Sequence, residues 1–257
     1  MRNKVLTSFD EAVADIPDGA SIAAECWGVT AMPQNLIAAL VKQGAKDLTI
    51  ITHNFLPSVF ALAGVPSANL ADLLPQMKKI ISPVVGLQPL GGGAFVKEWV
   101  EKGLEVELTS HGTLAARLYA GAADLGGIYN PVGIGTILEE GKEKRVIDGR
   151  EFIFEEPIKP DYAFIRAYKA DLYGNLVYWG VYRADQPIMA MAARCTIAEV
   201  DEIVPLGGID PEHVVTPGAF VDRIVVAPPD SPGGLETIKE AIKKFAAIDA
   251  LRKVFFK

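Results

Sequence analysis

The sequence predicts an α/β fold: an open, mixed but largely parallel sheet with covering helices, plus an antiparallel segment in the C-terminal half. Three observations lead there. Short apolar runs bounded by turn residues alternate with longer stretches of helical period along most of the chain. Apolar runs flank Asp148-Gly149, a strong signal for a two-residue hairpin turn. The 257 residues are 50% apolar and 22% charged, enough apolar material for one large core. No internal repeat, low-complexity tract or linker interrupts residues 1–257, which read as one domain.

The elements follow in order. Ser8 caps a helix running to Asp15, with Glu11 completing a capping-box pattern, and Pro17-Asp18-Gly19 turns the chain. Ser21 to Glu25 reads as a strand. Pro33 suits the first turn of a helix with the apolar stripe Leu36, Ile37, Leu40 and Val41, ended by Gly44; Leu48 to Thr52 is the next buried strand. Together these form one βαβ unit. Gly91-Gly92-Gly93 precede a helix to about Lys102, Leu104 to Leu108 alternates as a strand, and Thr113 to Ala122 is a third helix. Beyond Gly141 the hairpin opens an antiparallel stretch. Tyr162 to Lys169 and Thr196 to Val204 are further β segments, with a turn over Asp171 to Asn175. After Pro228-Pro229-Asp230, Lys239 to Phe256 closes the chain as an amphipathic helix within a C-terminal stretch of about 235–257.

A formal charge of −7 and no basic cluster longer than Lys142 to Arg145 argue against nucleic acid as a partner. The two cysteines, Cys26 and Cys195, lie far apart in a chain too large to need stapling, which suits reduced thiols in a cytoplasm. The N-terminus turns acidic where a signal peptide would become apolar, and no apolar run is long enough to span a membrane.

Glu25 ends an apolar strand immediately before a turn and a helix. Open α/β sheets bind ligands at the carboxyl ends of their strands, and a partly desolvated carboxylate there suits acid or base work; the alternative is a structural ion pair. His111 lies between a strand and a helix, with Thr109 or Ser110 as cap and Gly112 allowing close backbone approach. The helix dipole disfavours an imidazolium there, leaving a neutral ring able to donate to an oxyanion or accept a proton. His53 also follows a buried strand but reads as structural, and His213 as a surface residue. Cys26 reads as an inert thiol unless folding brings it a base. No short paired spacing of His and Cys exists, so no metal is expected. The Gly91 to Gly93 run lacks both the P-loop lysine and the dinucleotide spacing.

The segments IPDGASIAAECWGVTAMPQNLI, LEVELTSHGTLAARLYAGAADLGGIYNPVGIGT, KADLYGNLVY and MAMAARCTIAEVDEIVPLGGIDPEHVVTPGAFVDRIV together resemble the α subunit of family I CoA transferases, the group acting on 3-oxoacids, acetate or butyrate. The similarity covers about residues 3 to 227. It implies the CoA transferase family I fold, a cytoplasmic αβ or α2β2 heteromer, an active site shared between the two kinds of subunit, and no cofactor beyond CoA as substrate and product. The nucleophile of such enzymes is a glutamate in a Ser-Glu-Asn-Gly type motif of the β subunit; this chain has no such motif. By resemblance this chain shapes the acid-binding pocket and supplies oxyanion donors, acting on an acyl-CoA and a carboxylic acid. Gly28 and Asn35 carry over as pocket residues, joined by Cys26, Trp27 and Gly112.

Two departures from the family pattern fall at the site. Glu25-Cys26-Trp27 stands where the family has Gly-Gly-Phe, and Ala31 replaces a glycine two residues before Pro33. Ser110-His111-Gly112-Thr113 stands where the family has Pro-Gln-Gly-Thr, so a neutral amide becomes a titratable ring. A branch of the same fold hydrolyses cyclic β-diketo CoA thioesters with a catalytic acid-base residue at the position of His111. This gives an alternative in which Glu25 and His111 form a dyad that activates water. A third reading is a non-catalytic ligand-binding module.

Overall fold

Ile22 and Ala24 pack into one apolar cluster and Ala23, between them, into another. Alternate residues of this strand therefore face opposite helix layers, which is why its sequence is apolar throughout. The computed structural model describes residues 3–25, 31–56, 68–86, 93–180 and 183–247. In chain order the regular elements among them are α1 (Phe9–Val13), β1 (Ser21–Ala24), α2 (Gln34–Gln43), β2 (Leu48–Ile51), β3 (Met77–Ser82), α3 (Ala94–Glu101), β4 (Glu105–Leu108) and α4 (His111–Ala122). Then follow β5 (Ile128–Asn130), β6 (Lys144–Ile147), β7 (Arg150–Glu155), β8 (Tyr162–Asp171), β9 (Leu176–Val177), α5 (Gln186–Ala192), β10 (Cys195–Val204), β11 (Arg223–Val226) and α6 (Leu235–Ala247).

The main sheet has eight strands. Seven run in the order β11-β10-β8-β1-β2-β3-β4 with every neighbour parallel, and β9 adds antiparallel to β8. One face packs on α1 and α2 through Ala12, Val13, Leu36, Ile37 and Leu40. The other packs on α4 and α5 through Leu114, Leu118, Ile188 and Met189. A separate three-stranded antiparallel sheet, β5-β7-β6, holds the expected hairpin. Asp148 (φ 50°) and Gly149 (φ 78°) both sit in the left-handed region that a type I′ turn requires.

Several boundaries differ from the sequence reading. Ser8 Oγ accepts from the Glu11 N–H as expected, but Glu11 reaches back to Thr7 rather than to Ser8. Pro33 is the residue before α2 rather than its first residue, and Gly44 (φ 87°) ends that helix. Helix α4 begins at His111, two residues before Thr113, because Ser110 Oγ accepts from the Thr113 N–H at 3.0 Å. The separate antiparallel sheet ends with β7; β8 and β10 belong to the parallel sheet, with α5 making the crossover between them, and only the short β9 beside β8 is antiparallel there. Strands β3 and β11 and helix α5 carry no clear signal in sequence. In β3 Lys78 and Lys79 break the apolar run, and α5 is apolar on nearly every side because it is buried on nearly every side. Helix α6 starts at Leu235, four residues before Lys239.

Candidate active site

Starting from β1, the chain builds the sheet outward in two directions: β2, β3 and β4 on one side, β8, β10 and β11 on the other. Such a reversal opens a crevice at the carboxyl ends of the central strands, because consecutive crossovers leave to opposite sides. Four polar side chains converge there. Glu25 directly follows β1 and is fully buried; its Oε2 accepts from the Asp185 backbone N–H at 3.4 Å. His53 comes two residues after β2 and is 6% exposed. Asp185 precedes α5, makes no side-chain capping bond there, and places its Oδ2 2.5 Å from His53 Nε2. The contact is an ion pair when His53 is protonated. His111, exposed on the first turn of α4, stacks its ring on that of His53, with centroids 5.6 Å apart and planes 25° from parallel.

The electrostatics separate the two rings. Burial opposes a charge on His53, but the Asp185 carboxylate, helped by Glu25, outweighs it and holds His53 above its ordinary pKa. His111 is held below its ordinary value by burial and by the neighbouring His53, with Asp185 pulling the other way. Its place at a helix N-terminus acts in the same direction. Ala184, next to Asp185, has φ 26°, a costly setting for a residue with a Cβ. Backbone strain of this kind collects where the fold forces a side chain into one direction.

Of the residues singled out in sequence, Glu25 and His111 lie in this cluster, and the chain of contacts between them passes through Asp185 and His53. Gly112 is exposed on α4, and a Cβ there would meet nothing within 4 Å. Cys26, Trp27 and Gly28 lie outside the described residues, as do Gly91 and Gly92. Asn35 belongs to a second, buried network. Its Nδ2 donates to Glu199 Oε1 at 2.8 Å and to Ser231 Oγ at 3.1 Å, and its backbone N–H donates to Glu199 Oε2 at 3.0 Å. Arg166 lies beside Glu199 there and donates to Asp201 and to the Gly233 carbonyl. Gln186, next to Asp185, donates to the Arg166 carbonyl at 2.8 Å, so the two networks meet in the first turn of α5. His213 is on the surface. Among the described residues no group of three or more His, Cys, Asp or Glu is disposed to hold a metal, and no helix is long and apolar enough to cross a membrane.

Sequence reasoning set His53 aside and did not find Asp185. The signal for His53 was the one used for Glu25 and His111: a polar residue just past the carboxyl end of a buried strand. Asp185 offered none, since the helix it precedes is not legible in sequence.

A profile described as coenzyme A transferase matches residues 6–227. The A-type subunit of the 3-oxoadipate CoA-transferase of Pseudomonas putida is 42% identical over 227 residues, covering 88% of this chain and 94% of the relative. Among solved structures, a variant of the decarboxylase AibA/AibB superposes with a TM-score of 0.71 at 28% identity, over 91% of this chain and 87% of that one. The acyl-CoA transferase YdiF of E. coli O157:H7, solved as a thioester complex with CoA, gives 0.72 at 24% identity and shares the fold. It covers 90% of this chain, which spans about half (48%) of YdiF. With its parallel sheet, its covering helices and a profile match over most of its length, the chain belongs to the coenzyme A transferase family, as a subunit of the α type.

Proposed function

We propose that this chain is the α subunit of a heteromeric acyl-CoA:carboxylate CoA transferase. It moves CoA between a 3-oxoacid or short acyl-CoA and a carboxylate, through a glutamyl-CoA thioester on a partner β subunit in a cytoplasmic αβ or α2β2 assembly. The carrying observation is the accessibility of the clustered groups. His111 is exposed at the strand ends, whereas Glu25 is fully buried and Asp185 is paired with His53. The cluster therefore offers substrate a hydrogen-bond donor, while Glu25 is fully buried and the part-exposed Asp185 lies against His53, which supports a nucleophile supplied by another subunit. The 3-oxoacid in the name of the Pseudomonas putida relative supports the substrate class.

In this reading a carboxylate of the partner attacks the thioester carbonyl and expels the CoA thiolate, leaving a mixed anhydride; the thiolate then attacks the glutamyl carbonyl and releases the acyl group as its carboxylate, and each tetrahedral oxyanion needs donors already in place. His111 and the backbone around Gly112 supply them. Cys26, Trp27 and Gly28 shape the acid pocket, and Asn35 acts from behind it by fixing the start of α2 to Glu199. CoA enters as substrate and leaves as product, with no other cofactor.

The test is to co-purify the chain with its partner, incubate with an acyl-CoA, trap with borohydride or hydroxylamine, and weigh both intact chains. The modification is expected on a partner glutamate only, and His111→Gln, which keeps an N–H donor, retains most of the transfer activity. Turnover with no modification on either chain overturns the reading in favour of hydrolysis by Glu25 and His111.

A further inference from the structure

We propose that His53 and Asp185 are positioning residues that hold the His111 ring at the crevice as an uncharged hydrogen-bond donor. The proposal rests on the transferase reading above, and its evidence is the geometry of the stack. His111 is exposed, while the ring beneath it, His53, is 6% exposed and 5.6 Å away between centroids. Two stacked imidazoliums repel each other, so such a pair favours at most one proton at a time. His53 is the one placed to carry it, because Asp185 Oδ2 lies 2.5 Å from its Nε2 and Glu25, at the end of β1, adds its charge from another side. Asp185 bears on His111 too, but there it meets opposing influences: no acidic residue in the first turn of α4, the positive end of the helix dipole, and the ring of His53, when protonated, under its face. Among the described residues, the charged and titratable groups that bear on the stack are thus Glu25 after β1, Asp185 before α5, and the two rings themselves, His53 after β2 and His111 at the start of α4. The directions of the two histidine shifts agree with this assignment.

The benefit is chemical. An imidazolium at the crevice would pair with the partner's attacking carboxylate and stabilise it before reaction. A neutral imidazole N–H makes its strongest bond to the oxyanion as charge develops, and so favours the transition state. Neither His53 nor Asp185 need touch substrate for this.

The protein has three histidines, so their ring signals can be assigned by single His→Gln variants and followed by NMR titration of the lone chain. Removing the cation by His53→Gln is expected to raise the His111 titration by about 0.5 to 1 pH unit, the size of one unit charge at that separation in a wet protein environment. If His53→Gln does not fold, Asp185→Asn carries the test: His53 itself is expected to titrate about one pH unit lower without its counter-ion. In the assembled enzyme, the acid limb of kcat/KM moves up with His111 in His53→Gln. His111→Gln turns over without that limb, since an amide donor does not titrate. An unchanged His111 titration, an unmoved His53 in Asp185→Asn, or an acid limb that survives His111→Gln overturns the proposal. The lone-chain titrations do not depend on transfer activity, so a failure of the transferase reading shows separately, as the missing modification on the partner.

Discussion

Glu107, on β4, lies between two cations: Arg117 Nη1 donates to its Oε1 at 2.6 Å, and Lys79 Nζ is 2.6 Å from its Oε2. Burial pushes the carboxyl up, but the two bonds outweigh it and hold Glu107 below its ordinary pKa. A carboxyl depressed in the folded state adds stability at pH values above its unfolded pKa and loses it as the pH falls through the folded one. Glu107→Gln is therefore expected to cost about 1 kcal/mol at neutral pH, after allowance for partial exposure. The gap should close steadily from about pH 5 downwards. Urea denaturation of both proteins across that range is the check, and a gap that stays constant contradicts the ion-pair account. The same scale shows what a sequence conceals. The identity of Glu25 and His111 and their positions past strand ends are visible in the chain, but the upward shift of His53 depends on Asp185, some 130 residues beyond it in the sequence.

Helix α4 carries its chemistry at one end and its packing along the rest. Leu114 and Leu118 bury against the sheet. Gly121 lets the Ile158 carbonyl approach so closely that a Cβ there would fall 1.9 Å from the oxygen. The first turn depends on Ser110, whose hydroxyl accepts from the Thr113 N–H and donates to Thr113 Oγ1 at 2.8 Å. Ser110→Ala should cost about 1 kcal/mol of stability. Because it frays the turn that aims His111, activity is expected to fall further than the thermal midpoint suggests; equal, small effects on both would place the ring's orientation elsewhere than in the cap. The sequence supplied this helix through its apolar spacing but started it two residues late, since Ser110 and Thr109 are both capable caps and only the fold selects one. Helix α5 shows the converse. Both its faces are buried, so no polar stripe marks it, and with it went the clue to Asp185.

At the scale of the whole molecule, the exposed side chain of the described cluster is a donor, Glu25 is fully buried and Asp185 lies against His53, so this chain by itself is expected to bind CoA esters without turning them over. Adding the separately purified partner should restore transfer in proportion to heteromer formed, followed by mass in solution; full turnover by the lone chain would refute the shared-site account. What the sequence by itself determined is the class of fold and the family. Central buried strands such as β1 and β2 are apolar, helices with one solvent face such as α2 show a 3.6-residue stripe, and the hairpin needs residues that tolerate a left-handed backbone, all of which are local requirements written in consecutive residues. What only the tertiary structure decided is which strand ends meet. The assembly of β1, β2, β4, β8 and β10 into one sheet, with α5 crossing between the last two, brings Glu25, His53, Asp185 and His111 together and sends Asn35 to a different, buried network. Contacts between residues far apart in sequence are fixed by how the sheet is assembled, and no local period records that order.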